Sequence, residues 1–323
     1  MVRITIHPDG PAFECESGDT ILRAALRAGL GMSYSCNVGS CGNCRFELIE
    51  GAVEHARADA PAWGERDQKR NRWLGCQARP QGDCRIKFRA DPGAVSRDAP
   101  ALRDGTLVSV TPVTRDISEF AFRVEGADAF RPGQYALLHA PGVAGGRPYS
   151  MSNLPGEGLW RFLIKRVPGG GATGYLFDAA RPGDTVKIDG PYGTAWLNEE
   201  IERDLVLLAG GSGLSPMVSI ARAAAGLGRG ISFYYGARAQ GDLFDAGAVL
   251  GGSTGVISAL SEPEPGWSGA TGFLHGVVRD HLGARLSDAE IYFAGPAAMS
   301  AAVQKMAHEA GVPMDRLHFD EFY

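Results

Sequence analysis

The sequence predicts a multidomain protein of the α+β and α/β classes, with three units in order along its 323 residues. Three observations predict this fold class. A cysteine-rich loop lies among a few short strands and one helix in residues 1–90. Short strands then follow one another closely through residues 103–200, as in an antiparallel β-barrel. From residue 201 to 323, apolar strands alternate with helical stretches, as in a parallel α/β sheet.

The composition is that of an ordinary globular chain, with 44% apolar and 21% charged residues. A net charge of −5 gives no reason to expect a nucleic-acid partner. No apolar run approaches the roughly 18 residues that span a bilayer, and Met1–Ile4 does not resemble a leader peptide. We therefore expect a cytoplasmic protein that uses neither nucleic acid nor membrane.

In the first unit, Asp19 or Thr20 can cap a helix that ends near Gly29. One stripe of that helix is apolar and comprises Ile21, Leu22, Ala25 and Leu26. Strands are expected at 3–7, 45–51 and 85–88. The charged stretch 59–72 is expected to be a loop.

Four cysteines of this unit have a distinctive spacing: Cys36, Cys41, Cys44 and Cys76. The pattern C-x4-C-x2-C with a distant fourth thiol is that of plant-type [2Fe–2S] clusters. Small residues such as Gly39 and Gly42 let the chain bend closely around such a centre. Zinc usually shows two short paired spacings, and disulfides need an oxidising compartment, so both are weaker alternatives. Cys15 and Cys84 lie outside the pattern and are interpreted as ordinary buried residues.

A linker is expected at 91–102, where Pro92, Gly93 and Pro100 interrupt any apolar period. In the unit that follows, short strands are expected at 107–110, 120–124, 135–138 and 160–164. Two of its segments could meet a phosphate. Arg147-Pro148-Tyr149-Ser150 offers a cation, an aromatic face and a hydroxyl, and the turn from Gly169 to Thr173 precedes a helix. Taken alone, the first segment is more often a surface turn than a binding site, and a flexible hairpin explains the second equally well.

In the third unit, strands are expected at 205–209, 231–235, 256–259 and 291–294. The Gly-rich turn from Gly210 to Pro216 follows the first of them, with Ser215 expected as the helix N-cap and Pro216 as the first helical residue. Its glycines let the backbone approach a pyrophosphate at the helix end. Pro216 replaces the last glycine of G-x-G-x-x-G, so a simple tight turn remains an alternative. The same sheet edge should also carry Gly236, Ala294, Gly295 and Pro296.

Arg147–Ser150, Gly210–Pro216 and Ala294–Pro296, in this order, resemble the ferredoxin–NADP⁺ reductase superfamily. Joined to a plant-type ferredoxin, the whole chain is similar to reductase components of bacterial multicomponent oxygenases. These include toluene and phenol monooxygenases, carbazole dioxygenase and other aromatic-ring dioxygenases. The resemblance implies a β-grasp ferredoxin domain, an antiparallel β-barrel FAD domain and a parallel α/β NAD(P)H domain. It also implies a place in aromatic hydrocarbon catabolism.

The resemblance implies roles for individual residues. Arg147 should pair with an FAD phosphate, Tyr149 should lie against the isoalloxazine, and Ser150 should bond near flavin N5. The remaining implied FAD contacts are Pro148, Lys165, Arg166, Val167, Gly170, Gly171 and Thr173, although relatives often carry Arg in place of Gly171. The implied nucleotide contacts are Gly210, Gly211, Gly213, Pro216, Gly236, Arg238, Gly295 and Pro296.

The C-terminal Glu321-Phe322-Tyr323 resembles the acidic–apolar–aromatic end of plant-type reductases. Tyr323 would cover the flavin and move aside for nicotinamide, and Glu321 would help to place the nicotinamide. A terminal strand without catalytic duty is the alternative. NADH is favoured over NADPH because Arg238 is the one candidate for a 2′-phosphate and Asp242 opposes it.

The function implied is hydride transfer from NADH to FAD, followed by single electrons through the [2Fe–2S] cluster to an oxygenase or its ferredoxin. A deoxysugar dehydratase as client, or a carrier without turnover, remains open. The first unit also holds a basic element that could meet an acidic partner or simply be a solvated loop: Arg45, Arg57, Arg66, Lys69, Arg70 and Arg72.

Overall fold

The computed structural model describes residues 1–126, 129–250 and 255–322. The chain divides into two compact units. The first comprises Met1–Arg103, Ala136–Pro148 and Ile188–Thr194, and the second comprises Asp104–Tyr135, Tyr149–Lys187 and Ala195–Tyr323. Within the described ranges, every helix is too short or too polar to cross a bilayer. The domain borders expected near residues 90, 102 and 200 stay predictions.

The cysteine-rich part is built on a five-stranded mixed sheet with the order β2-β1-β7-β3-β5. Its strands are β1 (Val2–Ile6), β2 (Ala12–Cys15), β3 (Arg45–Glu50), β5 (Arg72–Leu74) and β7 (Cys84–Lys87). A separate two-stranded antiparallel sheet consists of β4 (Val53–His55) and β6 (Ala78–Pro80). The predicted first helix is confirmed as α1 (Ile21–Arg27), and the Thr20 side chain caps it by accepting the Arg23 N–H.

The stretch 59–72 was expected to be a loop, and this is wrong for its central part. A short exposed helix, α2 (Glu65–Lys69), lies there. Acidic residues Glu65 and Asp67 lie in its first turn, where they favour helix formation by complementing the helix dipole. None of its residues is buried, so the apolar period that usually reveals a helix is missing.

Six strands form the second sheet, with the order β11-β10-β13-β8-β9-β12. They are β8 (Ala101–Pro112), β9 (Ile117–Val124), β10 (Tyr135–His139), β11 (Arg147–Ser150), β12 (Trp160–Lys165) and β13 (Thr185–Tyr192). The pairs β8/β9 and β9/β12 are antiparallel. β11 and β12 are the two edge strands in this order. An antiparallel bridge between Met151, just after β11, and Phe162 of β12 joins these two edges. The sheet therefore closes into a barrel, and β8 begins within the expected linker.

The third sheet is parallel throughout, with the order β17-β16-β15-β14-β18-β19. Its strands are β14 (Leu205–Gly210), β15 (Ile231–Ala237), β16 (Val256–Leu260), β17 (Ala270–Thr271), β18 (Glu290–Pro296) and β19 (Leu317–Phe322). A short helix, α3 (Gly171–Gly174), lies between strands β12 and β13. The α-helices of the parallel-sheet part are α4 (Leu214–Gly226), α5 (Ala246–Leu250), α6 (Leu274–Leu282) and α7 (Ala297–Glu309). The predicted fold class is confirmed.

Two apolar cores cover the two faces of this parallel sheet. One contains α4 and α5 together with Ile117 and Leu163 of the barrel strands. We call it the barrel-side face. The other contains α6 and α7, and Phe293 stacks on Phe319 there with ring centroids 4.9 Å apart. Because both faces are covered, the strands are near-continuous apolar runs, as their sequences predict.

Candidate functional site

The four cysteines of the predicted ligand set approach one another in two pairs. A hydrogen bond between Cys36 and Cys41 lowers the pKa of Cys36 to about 5. A hydrogen bond between Cys44 and Cys76 lowers the pKa of Cys44 below its ordinary value. Among the described residues, no three His, Cys, Asp or Glu side chains surround a position for a single metal ion. In a [2Fe–2S] cluster, each of the two irons is bound by two cysteine thiolates, so these two cysteine pairs fit such a cluster.

Backbone N–H groups point at the sulfur of Cys36. The nitrogens of Val38, Ser40 and Cys41 lie 3.5, 3.3 and 3.3 Å from it. The chain turns here through Gly39 at φ +82° and Gly42 at +80°, which are left-handed conformations that side chains disfavour. N–H donors stabilise negative charge on a ligand sulfur and help to set the potential of a bound cluster.

Arg45 holds this loop from outside. Its Nη1 donates to the Gly42 carbonyl at 2.9 Å, and its Nε lies 3.1 Å from both carboxylate oxygens of Asp67 in α2. Its Nη2 donates to the Ala62 carbonyl. A side chain at Gly42 would meet the guanidinium, since an added Cβ would lie 2.1 Å from Nη1. The sequence placed Arg45 only within a basic element and did not reveal this contact.

Arg147 begins strand β11 and is exposed. Its Nη1 donates to the carbonyls of Ala144, Gly145 and Gly146 at 3.1, 3.4 and 3.2 Å. This fixes the guanidinium over the preceding turn while its outer N–H groups stay available for an anion such as a phosphate. Pro148 is also exposed, whereas Tyr149 is half-buried.

The turn at residues 167–173 is closed by a hydroxyl. The Thr173 Oγ1 accepts the Val167 N–H at 3.2 Å and lies 3.3 Å from the carbonyls of Val167 and Gly170. Thr173 is buried, so its hydroxyl shapes the turn. The N–H groups at the start of α3, from Gly171 on, have no partner within the helix and remain for a pyrophosphate.

Two of the predicted cofactor-binding cations differ in their surroundings. Lys165 forms an ion pair with Asp116 at 2.9 Å. Arg238 is exposed just beyond β15. Asp242, expected to oppose it, pairs instead with Arg115 at 2.6 Å and accepts the Ala239 N–H at 3.2 Å. The charge of Asp242 is thus largely compensated.

Glycines gather at the carboxyl edge of the parallel sheet. Gly210 at the end of β14 aligns with Gly236 of β15, and Ala209 aligns with Ala294, just before Gly295 of β18. These positions share one edge, as predicted. An added Cβ would lie 2.5 Å from the Met299 Sδ at Gly210 and 3.0 Å from it at Gly295. Neither glycine therefore has room for a side chain unless Met299 moves.

Among the glycines of this edge, Gly213 lies closest to a neighbouring strand. A Cβ there would lie 1.9 Å from the Ala294 carbonyl oxygen and 2.4 Å from its carbon. Gly211 to Gly213 form a 3₁₀ turn that carries the chain from β14 into α4, and Gly211 has φ +56°. This turn brings the N-terminus of α4 against the backbone of β18, which is the geometry that a nucleotide pyrophosphate needs.

The helix start itself differs from the prediction. The structure places the N-cap at Gly213 and the first helical residue at Leu214, so Ser215 and Pro216 are the second and third residues of α4. The Ser215 hydroxyl donates to the Ser150 carbonyl at 2.6 Å and accepts the Leu163 N–H at 3.1 Å. It cannot cap its own helix because the barrel strands take both of its hydrogen bonds.

Strand β19 carries the predicted C-terminal residues. It aligns Asp320 with Ala294 and Phe322 with Pro296. Phe322 packs on the barrel-side face, and Phe319 packs on the opposite one. Since side chains alternate along a strand, Asp320 shares the face of Phe322, while Glu321 shares that of Phe319. Tyr323, the predicted lid, lies outside the described residues.

Asp320 is thus an acidic residue that the sequence reasoning missed. It is only partly exposed, and burial raises the pKa of its carboxyl to about 7. Asp320 and Glu321 are adjacent in the sequence. The resemblance of the C-terminal triplet to plant-type reductases led to the prediction that Glu321 helps to place the nicotinamide. The sequence carries no signal that selects Asp320, because the face on which each of these side chains lies follows from the register of β19 against β18.

Three family models match the chain in order. They are a 2Fe-2S iron-sulfur cluster binding domain at residues 4–81, an oxidoreductase FAD-binding domain at 104–196 and an oxidoreductase NAD-binding domain at 207–305. The chain is 37% identical to a ferredoxin–NAD(P)⁺ reductase of Metapseudomonas resinovorans, with 100% of each chain covered. The chain belongs to the ferredoxin–NAD(P)⁺ reductase family.

A further curated relative and a solved structure support the same family assignment. The chain is 38% identical to the ferredoxin–NAD⁺ reductase component of the alkene monooxygenase system of Xanthobacter autotrophicus, over 97% of this chain and 98% of the relative. The solved ferredoxin reductase in carbazole 1,9a-dioxygenase matches with a TM-score of 0.94 and 33% identity, over 100% of this chain and 98% of that one.

The predicted family, the oxidoreductase class and the three cofactors are confirmed: a [2Fe–2S] cluster, FAD and a nicotinamide nucleotide. The cysteine pairs fit the cluster, and the glycine edge with the N-terminus of α4 fits the nucleotide.

Proposed function

We propose that this reductase oxidises NADH and delivers single electrons to the oxygenase component, or the ferredoxin, of a multicomponent oxygenase system. The observation that carries the proposal is the cysteine loop, where three N–H groups point at the Cys36 sulfur within the match to a 2Fe-2S cluster binding domain. Such a cluster would provide the one-electron centre that the delivery of single electrons needs. Relatives named for carbazole, alkene, phenol and naphthalene oxygenase systems support this client and favour aromatic or alkene oxidation.

A bound FAD would supply hydride acceptance and a bound [2Fe–2S] cluster would supply one-electron transfer, which would match a two-electron donor to a one-electron acceptor. The chain's own residues bind and orient these groups. We propose that Arg147 holds an FAD phosphate, that Tyr149 lies against the flavin ring and that Ser150 bonds near N5. The backbone of Gly210–Gly213 and the N-terminus of α4 hold the nucleotide pyrophosphate.

An anaerobic NADH titration of the purified holoprotein tests the proposal. Visible absorbance should show flavin bleaching, and EPR should show the signal of a reduced [2Fe–2S] cluster in the same sample. NADH should give the higher kcat/KM of the two nucleotides. Flavin reduction without a cluster signal, or no bleaching at all, would rule out the electron path.

We further expect Asp320, on the barrel-side face of β19, to stabilise the positive charge that nicotinamide gains as hydride leaves. With a pKa of about 7, the helpful carboxylate form grows as pH rises through neutrality. The kcat for NADH should therefore rise between pH 6 and 8, and Asp320→Asn should lower it by about tenfold at pH 8 while changing it little at pH 6.

Stability offers a second readout for Asp320. Its folded pKa lies above the ordinary value of 3.8, so its contribution to stability is present at low pH and is lost as pH rises from about 4 to 7. Asp320→Asn should remove this loss in urea unfolding curves. Glu321→Gln, one residue away on the other face, is the control. A flattened pH profile in that variant would show that Glu321 is the acid instead.

A further inference from the structure

Positive charge is concentrated in the cysteine-rich part of this acidic protein. Residues 1–90 contain 13 Lys and Arg against 11 Asp and Glu, whereas the whole chain has a net charge of −5. Within this part, the basic side chains cluster around α2 and the strand that follows it. A local positive surface on a negative molecule orients its encounters with other proteins.

Two arginines at α2 have no acidic partner among the described residues. Arg66 and Arg70 are exposed and stand four residues apart, so they lie on the same side of the helix. The other α2 charges are compensated, because Glu65 pairs with Lys69 at 3.6 Å and Asp67 pairs with Arg45. Like charges at this spacing repel each other. An anionic surface placed against them would relieve that repulsion.

This part of the chain is fastened to the cysteine loop. Arg45 joins Asp67 of α2 to the Gly42 carbonyl, between Cys41 and Cys44. The Ala62 N–H also donates to the Gly39 carbonyl at 3.1 Å. Arg66 therefore lies between two residues, Ala62 and Asp67, that are linked to the cysteine loop by hydrogen bonds. A partner docked here would lie beside that loop.

Two stacked tryptophans flank the same segment. Trp63 and Trp73 have ring centroids 5.0 Å apart and an interplanar angle of 29°, and both are partly exposed. Their indole N–H groups donate to the Arg72 carbonyl and to the Asn71 side chain. Hydrogen bonds and stacking hold both rings rigid, and rigid Trp beside Arg is typical of the residues that dominate binding energy at interfaces.

We propose that the face formed by Trp63, Arg66, Arg70 and Trp73 docks a surface patch rich in carboxylates on the protein that accepts electrons. The proposal rests on the function proposed above. The occupant is an acidic redox protein, because two uncompensated guanidinium groups select carboxylates and because the face adjoins the loop of the one-electron centre. Charge steering of this kind accelerates association, and salt weakens it.

Cytochrome b5, an acidic haem protein, and cytochrome c, a basic one, are suitable probes of opposite charge. The holoenzyme is supplied with NADH and haem reduction is followed by absorbance. Arg66→Glu/Arg70→Glu should lower kcat/KM for cytochrome b5 at least tenfold at low salt and raise it for cytochrome c. Rising salt should slow cytochrome b5 reduction by the unmodified protein and remove its difference from the variant.

Arg3→Glu is the control, because Arg3 is exposed on β1, three strands away from β5. It should leave both rates within twofold. The docking face would be overturned if Arg3→Glu changed kcat/KM for the cytochromes as much as the Arg66→Glu/Arg70→Glu variant does. It would also be overturned if neither variant changed kcat/KM. Stopped-flow reduction of flavin and cluster by NADH reports the proposed function separately. It should be unchanged in every variant, and its absence in the unmodified protein would point to failure of the function rather than of the face.

Discussion

Gly213→Ala is expected to abolish efficient use of NADH. The new methyl group would lie 1.9 Å from the Ala294 carbonyl oxygen, so the turn before α4 and strand β18 must separate. Neither contact atom belongs to a flexible side chain, and relaxation therefore moves the backbone that receives the pyrophosphate. We expect a loss of about 3 kcal/mol in stability and a roughly 100-fold fall in kcat/KM for NADH. Urea unfolding and steady-state ferricyanide reduction measure the two effects.

Gly226→Ala is the control for this substitution. Gly226 ends the same helix, and a Cβ there meets no atom within 4 Å. Alanine has the higher helix propensity, so stability should stay level or rise by up to about 1 kcal/mol. NADH oxidation should be unchanged. Similar kinetics for the two variants would contradict the close approach of the turn to β18.

Cys76→Ser is expected to separate the two halves of the reaction. It removes one thiolate from the Cys44–Cys76 pair, and the hydroxyl that replaces it is a poor ligand for iron. Flavin reduction by NADH should stay within twofold of the unmodified rate. Electron delivery to a protein acceptor should fall roughly 100-fold or more, and the EPR signal of the cluster should be lost or altered. Iron content and EPR of the purified variant provide the measurement.

Cys84→Ser provides the comparison. Cys84 is also buried, but its thiol donates to the Ala52 and Gly82 carbonyls at 3.4 and 3.2 Å. A serine hydroxyl can keep these bonds, so iron content and electron delivery should be retained. Loss of the cluster in this variant, or its retention in Cys76→Ser, would show that the ligand set is wrong.

Much of the fold could be predicted because its determinants are local. The cap at Thr20 and the apolar stripe after it define α1, and the spacing of short apolar runs separates the barrel from the parallel sheet. The candidate ligand set could be proposed in the same way, since three of its four cysteines lie within nine residues of one another. These patterns need no knowledge of distant contacts.

The remaining features depend on contacts between distant segments. Ser215 is a good N-cap by type, yet the barrel strands take its hydrogen bonds. Arg45 is an ordinary surface cation in the sequence, and only α2 and the cysteine loop together give it a role. Placing Asp320 and Glu321 on opposite faces requires the strand register against β18. No local pattern encodes such pairings.

The sheet edge at Gly210, Gly213 and Gly295 also bears on how this chain can diversify. Glycine leaves the shape of this edge largely to peptide groups, and a side chain added at Gly213 would meet backbone atoms of Ala294. New clients can then be acquired by altering exposed helices while the source of electrons stays fixed. We expect coenzyme preference, in turn, to be tuned at the rim, where Arg238 is exposed beyond β15.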